Sequence, residues 1–208
     1  VPDRSRFIRV IIAEMERIHS HLLWLGVGGH ILGFDTLLMW SWKFREHILD
    51  RFEEITGNRQ TYAMNVIGGV SKDITLDQAS RLKATLKEMD RSVRSLMDMI
   101  SGDSTTIGRL RGVGVLSKKD ARDYCVVGPV ARASGIGIDV RKDHPYAAYS
   151  YVDFKMPVLS EGDTLAKTIV RLIEVLESIS IIEQALDAMP GGRIRAERPQ
   201  IPVGEAIG

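Results

Sequence analysis

Apolar side chains recur along much of this chain at alternating steps of three and four. Ile8, Ile11, Met15, Ile18, Leu22 and Leu25 keep that spacing and predict one amphipathic helix. Gly33 and Asp35 interrupt the pattern. Asp35 is placed to cap a second helix, in which Leu38, Trp42, Arg45, Leu49 and Phe52 share a face until Gly57 supplies a left-handed terminus. Thr75, Leu76, Asp77 and Gln78 read as a capping box opening a third helix, whose Ala79, Leu82, Leu86, Met89, Val93, Leu96 and Ile100 keep heptad steps up to Gly102. Lys83, Lys87, Arg91 and Arg94 fall off that seam. A fourth long helix follows Gly162 and Asp163, turns Leu165, Ile169, Leu172, Leu176, Ile179, Ile182 and Leu186 inward, and stops at Pro190, Gly191 and Gly192.

The pattern predicts a mainly α fold: a bundle of four long helices with a Gly/Pro-rich loop region carrying short strands. The helical core covers 3–102 and 163–189, and the loop-rich insert covers 103–162. Within the insert, Val113 to Leu116 and Val126–Val127 are the β-branched runs, and Ser117 with Asp120 predicts one short capped helix. Residues 1–208 read as a single domain. The opening Val1–Pro2 and the closing Gly204 to Gly208 carry neither a leader nor a closing helix, so the chain reads as an internal fragment of a larger subunit.

Charge and composition narrow the chemistry. Lys+Arg number 28 against Asp+Glu 27, a formal net charge of +1 that disfavours binding nucleic acid or anionic membrane through bulk charge. The most apolar stretch, Leu22 to Trp42, is broken by Gly26, Gly28, Gly29, Gly33, His30 and Asp35, which argues against a membrane span. With a single cysteine, Cys125, the chain cannot form an internal disulfide or by itself supply a multi-thiolate metal site.

Glu14, Arg17 and His21 follow one another at steps of three and four and lie on one helix stripe. Such a stripe suits either a proton relay or an ordinary solvated face; His19 beside it reads as a surface histidine. His30 and Asp35 are the strongly polar groups of the apolar stretch and are expected to be buried with a partner. Asp35, His30, His21 and Glu14 are therefore the candidates for a proton path. Thr61 to Gly69 closes on two glycines, and Asp139, Arg141, Asp143, His144, Tyr146 and Tyr149 crowd a short loop. No G-x-G-x-x-G between a strand and a helix, no phosphate-binding G-x-x-x-x-G-K-[ST] and no nucleophile–base spacing is present.

The residues also carry a resemblance that spans essentially the whole chain. Arg9 to Glu14 with Arg17 to Gly26, then Arg45–Glu46, Ile55 to Arg59, Ile67 to Val70, Gly128 to Gly135, Asp139 to Lys142, Pro145–Tyr146, Gly162–Asp163 and Pro190 to Gly192 resemble one large-subunit superfamily. It joins the D, or 49-kilodalton-type, subunit of respiratory complex I to the energy-converting membrane-bound nickel-iron hydrogenases. Asp35–Thr36, Asn58–Arg59, Met64–Asn65, Val127 to Ser134 and Asp143 to Tyr146 look more like the hydrogenase branch. Val66 and Lys167 stand where relatives often carry arginine.

The resemblance implies an oxidoreductase subunit that docks on a small iron-sulfur subunit, among other subunits of a membrane redox complex, on the cytoplasmic side of the cell membrane. It implies a nickel-iron centre in the full subunit, or a quinone in the complex I alternative, with the iron-sulfur cluster held by the partner. No cofactor is expected on these residues alone, and none can be assigned as a metal ligand. Tyr62, Asn65, Gly68, Gly69, Arg132, Asp139, Arg141, His144 and Tyr146 are the residues expected to face the cavity or the partner. A non-catalytic helical scaffold subunit is the remaining reading.

Overall fold

A computed structural model describes residues 1–197 and 204. The fold is mainly helical. In chain order it comprises α1 (Asp3–Ile31), α2 (Asp35–Thr56), a hairpin of β1 (Asn65–Val66) and β2 (Gly69–Val70), α3 (Leu76–Gly102), α4 (Ser104–Leu110), α5 (Lys118–Asp123), α6 (Gly128–Ala133), α7 (Val140–Asp143), a 3-10 turn at Tyr149–Tyr151, and α8 (Thr164–Ala188). Helix α1 packs against both α2 and α8, and α3 closes the arrangement against the same two helices. One apolar core runs through all four, with Ile11, Met15 and Leu22 of α1, Ile48 and Phe52 of α2, Leu82 and Leu86 of α3, and Val175 and Ile182 of α8 fully enclosed.

Local chemistry explains the helix ends. Thr75 accepts from the Gln78 amide while the Gln78 side chain accepts from the Thr75 amide, the reciprocal capping box. Asp163 accepts from the Ala166 amide to start α8, Ser117 accepts from the Asp120 amide to start α5, and Gly57 ends α2 at φ 82°.

Three expectations are corrected. Asp35 does not cap α2: it is the first helical residue, Phe34 holds the cap position without a side-chain bond, and the Asp35 carboxylate turns to His30 instead. Trp42 is 41% exposed rather than fully inward, its indole lying over Gly26 of α1. A Cβ added at Gly26 would lie 2.5 Å from Trp42 Cδ1, and one at Gly29 would lie 3.0 Å from Leu37, so Leu37, Ser41 and Phe44 take the inward positions of the first turns. The β-branched runs of the insert form no strands; Leu116 N–H donates to Gly162 O at 3.0 Å and Thr164 N–H to Val113 O at 2.9 Å, tying that loop to the start of α8. The described strands lie instead at 65–70, where Gly68 adopts φ +88° in the turn. Residues 194–196 extend this hairpin, and Gly69 is needed there because a Cβ would collide with the Ile194 carbonyl oxygen.

Candidate functional site: a buried ionic cluster

The stripe Glu14, Arg17, His21 does not face solvent. It faces α8, and there it meets Glu174 and Ser178, two buried polar residues four apart on that helix. The insert folds over the stripe from the other side: Arg132 comes from α6, Asp139 caps α7, Arg141 stands in the first turn of α7, and Tyr149 opens the 3-10 turn. Glu14 is fully enclosed, with 0% exposure, and Glu174 has 1%.

Every carboxylate in this layer is saturated. Glu14 accepts from Arg141 Nη1 at 2.9 and 3.0 Å, from the Tyr149 hydroxyl at 2.5 Å, from Ser178 Oγ at 2.6 Å and from Arg17 Nε at 3.3 Å. Asp139 accepts from Arg141 Nε at 3.0 Å and Nη2 at 2.7 Å, besides the Arg141 amide. Glu174 accepts from Arg132 Nε at 2.7 Å and Nη2 at 2.6 Å and bonds His21 Nε2 at 2.8 Å. Arg132 Nη1 also lies 3.6 Å from Asp139, and Arg17 Nη1 lies 4.0 Å from Glu174. Three carboxylates thus share three guanidiniums, and the formal charges cancel.

This arrangement sets the protonation states. Burial by itself raises the carboxyl pKa of Glu14, but Arg17, Arg141 and the bonds from Ser178 and Tyr149 outweigh it and hold the group below its ordinary range. The same competition, won by Arg141 for Asp139 and by His21 and Arg132 for Glu174, keeps both of those ionised. Burial lowers the His21 pKa more than Glu174 raises it, so the ring is neutral and donates its Nε2 proton to the Glu174 carboxylate. Burial, followed by the charge of Glu14, pushes the Tyr149 hydroxyl well above its ordinary value. A cleft of about 390 Å³ opens onto the cluster, with Arg17, Arg132 and Asp139 among its lining and the exposed Val127, Ile138 and Val140 at its edge.

Of the residues expected at a site, Glu14, His21, Arg132, Asp139 and Arg141 converge here. Tyr146 reaches the margin, edge-on to Tyr149 with ring centroids 4.8 Å apart, whereas His144 is exposed at the end of α7. Tyr62 lies elsewhere, stacked on Phe52 with centroids 3.9 Å apart and donating to Glu16. Asn65, Gly68 and Gly69 belong to the hairpin. His30 and Asp35 are bonded to each other at 2.7 Å, but their side chains are 65% and 73% exposed, against the expectation of burial. They sit where α1 ends, about 14 Å along the helix axis from His21. His19 is also corrected: it is buried on the α2 side and accepts from Arg45 Nη2 at 2.6 Å. Tyr149 comes from the crowded loop that the sequence marks, whereas Glu174 and Ser178 are not nominated there, although they stand at i and i+4 and so share one stripe of α8.

Among the described residues, no three His, Cys, Asp or Glu side chains are grouped to hold a metal ion, and Cys125 is exposed and alone. No described helix is long and apolar enough to cross a membrane.

Residues 32–206 match the family model for the respiratory-chain NADH dehydrogenase, 49 Kd subunit. The chain belongs to that family. Curated relatives fall on both sides of the superfamily. The D-type subunit of the NADH-quinone oxidoreductase of Desulfotalea psychrophila is 40% identical over 95% of this chain and 53% of its own length. The carbon monoxide-induced hydrogenase of Rhodospirillum rubrum is 39% identical over 100% of this chain and 58% of its own. The alpha subunit of the membrane-bound hydrogenase of Pyrococcus furiosus is 41% identical over 94% and 47%. Among solved structures, a chain of the membrane-bound sulfane sulfur reductase, an archaeal respiratory membrane complex, superposes with a TM-score of 0.90 at 36% identity, covering 96% of this chain and 54% of that one. The chain thus spans about half the length of these 49 Kd family relatives, which are oxidoreductase subunits.

Proposed function

We propose that the chain forms part of the large subunit of a membrane-associated nickel-iron hydrogenase, passing electrons from a small iron-sulfur partner to protons on the cytoplasmic side of the membrane. The observation that carries this reading is the neutral, fully satisfied ionic layer lying directly behind an open cleft. Isolated buried charge is costly, and a layer of three carboxylates and three guanidiniums offers fixed charges beside which a proton can be held or passed. The cleft suits the partner's face because Val127, Ile138 and Val140 are exposed together at its edge, an apolar patch that a partner would cover. His21 is the group of the layer whose ordinary pKa lies nearest neutrality, so it takes up a proton first when negative charge arrives beside it. Glu14 and Glu174 hold the compensating charges in place, and His30 with Asp35 forms the outer, solvent-side leg of the path.

The described residues do not make up a nickel-iron ligand set. In this reading the metal ligands come from the remaining half of the subunit, and the residues here bind, orient and carry protons only.

A second reading, the quinone-reducing type of the same family, is favoured by one specific feature. An apolar pocket of about 270 Å³ lies between α1, α2, α3, α4 and α8, lined by Trp24, Leu25, Ile31, Leu37, Ile100 and Leu110, a chemistry suited to an isoprenoid tail. The two are separated in the full-length subunit purified with its complex. Stoichiometric nickel and hydrogen evolution from a low-potential donor are expected. Absence of nickel together with reduction of a soluble quinone overturns the hydrogenase reading in favour of the second.

A further inference from the structure

The N-terminal end of α1 carries a second charged feature, which borders the ionic layer through Tyr146. Arg6 and Arg9 line one cleft of about 530 Å³ together with Asn65 of the hairpin and Tyr146. Arg9 has no ion-pair partner among the described residues. Its Nη2 donates to the carbonyl oxygens of Val66 at 3.0 Å and Gly69 at 2.8 Å, and its Nε is buried without a partner. Arg6 donates Nε to Ala147 O at 2.9 Å and Nη1 to Asp3 at 3.2 Å. That leaves Arg9 Nη1, Arg6 Nη2, the Asn65 amide and the Tyr146 hydroxyl without hydrogen-bond partners among the described residues.

This is an unusual balance. Two permanent cations and two neutral donors share one half-open cleft, and among the described residues the only carboxylate in contact is Asp3 on the outer side of Arg6. Arg9 cannot relieve the imbalance by losing its proton, because guanidinium stays charged at any physiological pH. Nor can it swing away, since two hairpin carbonyls hold it. A cation or an apolar ligand would find the wrong surface. A tetrahedral or planar oxyanion finds donors from α1, the hairpin and the Tyr146 loop along one cleft, with Arg9 already held in place, which lowers the cost of binding.

We propose that this cleft binds an oxyanion, phosphate or carboxylate, between Arg9 and Arg6, with Asn65 and Tyr146 completing the set of donors. The ligand's source is either free inorganic phosphate or an acidic side chain from the rest of the full-length subunit. Both deliver the same chemistry to the same donors.

The test uses the full-length subunit in its complex, with equilibrium dialysis of labelled inorganic phosphate and hydrogen exchange of the segment Asn65–Val70. Because Arg9→Gln also releases two hairpin carbonyls, the deciding variants are Asn65→Ala and Tyr146→Phe, whose lost groups hold nothing else. Saturable uptake of one phosphate per subunit is expected, weakened about tenfold by each of these variants and abolished by Arg9→Gln. If no phosphate is taken up but both variants speed exchange of the hairpin, the oxyanion is a carboxylate of the protein and the proposal stands. Phosphate uptake indifferent to both variants overturns it. So does absence of uptake with wild-type exchange in both.

Discussion

Two histidines of α1 form carboxylate pairs of nearly equal length, one with α8 and one with α2, and the pairs live in opposite environments. His21 meets Glu174 at 2.8 Å with side chains 11% and 0% exposed; His30 meets Asp35 at 2.7 Å with side chains 65% and 73% exposed. The first pair is one edge of a closed layer in which each carboxylate also bonds a guanidinium, and burial depresses the His21 pKa. The second pair is wetted by water, which screens it and leaves it close to energetically neutral. The difference teaches that bond length does not measure what a pair contributes. What matters is how much water the pair has lost, and what else replaces that water.

The sharpest way to break this comparison is to remove one partner of the buried pair. Glu174→Ala leaves Arg132 and His21 enclosed without their acceptor and is expected to cost about 3 to 5 kcal/mol, the range for orphaning a buried charge. The check is the urea midpoint of the chain, with Asp35→Ala alongside. Equal midpoints for the two variants would show that the layer is solvated in solution.

A slightly smaller loss is expected where no charge is involved. Leu86 and Leu172, enclosed on the α3 and α8 faces, should each cost about 2 to 5 kcal/mol on truncation to alanine. Lys87, exposed one position away, should stay within about 0.5 kcal/mol. These variants gauge how much of the stability rests on apolar seams rather than on the ionic layer.

Acid provides a graded probe of the same contrast. His21 titrates below its ordinary 6.5 in the folded chain, so the unfolded chain takes up its proton first and stability falls as pH drops below that value. His19, lowered by burial and then by Arg45, acts in the same direction. Glu14 and Glu174 titrate below their ordinary 4.5, and Asp139 below 3.8, so their contribution is complete above those values and is lost as pH falls through and below them. The expected curve declines in two stages on acidification. His21→Gln should shallow the first stage, measured by denaturant midpoints across the range, and leave the second in place.

How much of this is legible in the sequence follows from the range of the interactions. The α1 and α3 seams are readable because their inward residues, from Ile8 to Leu25 and from Leu82 to Ile100, are mostly apolar and follow the helical period. The caps at Thr75, Ser117 and Asp163 are readable because a cap is made within four residues. The stripe Glu14, Arg17, His21 is legible as a stripe, but its burial depends on Glu174, 153 residues beyond His21, and on an insert whose fold is not periodic. The start of α2 misleads because the inward phase there is decided by glycines on α1 rather than by its own pattern. His30 and Asp35 mislead for a related reason. An apolar neighbourhood in sequence is not one in space, and the end of α1 turns both side chains outward.

The smallest effect on stability is expected at that exposed pair, where the question is one of proton traffic. Asp35→Asn keeps the side-chain shape and a hydrogen-bond acceptor for His30 but cannot carry a proton. Because the pair is largely solvated and α2 begins without a cap bond from Asp35, the denaturation midpoint should change by no more than about 0.5 kcal/mol. In the intact complex, the variant should assemble normally and reduction of the partner's cluster should proceed, while turnover falls if protons enter through this corner. Measuring the last two separately distinguishes a proton-collecting pair from a surface ion pair. Unchanged turnover would remove His30 and Asp35 from the path and leave His21 and Glu14 to be supplied from the cleft beside Arg132.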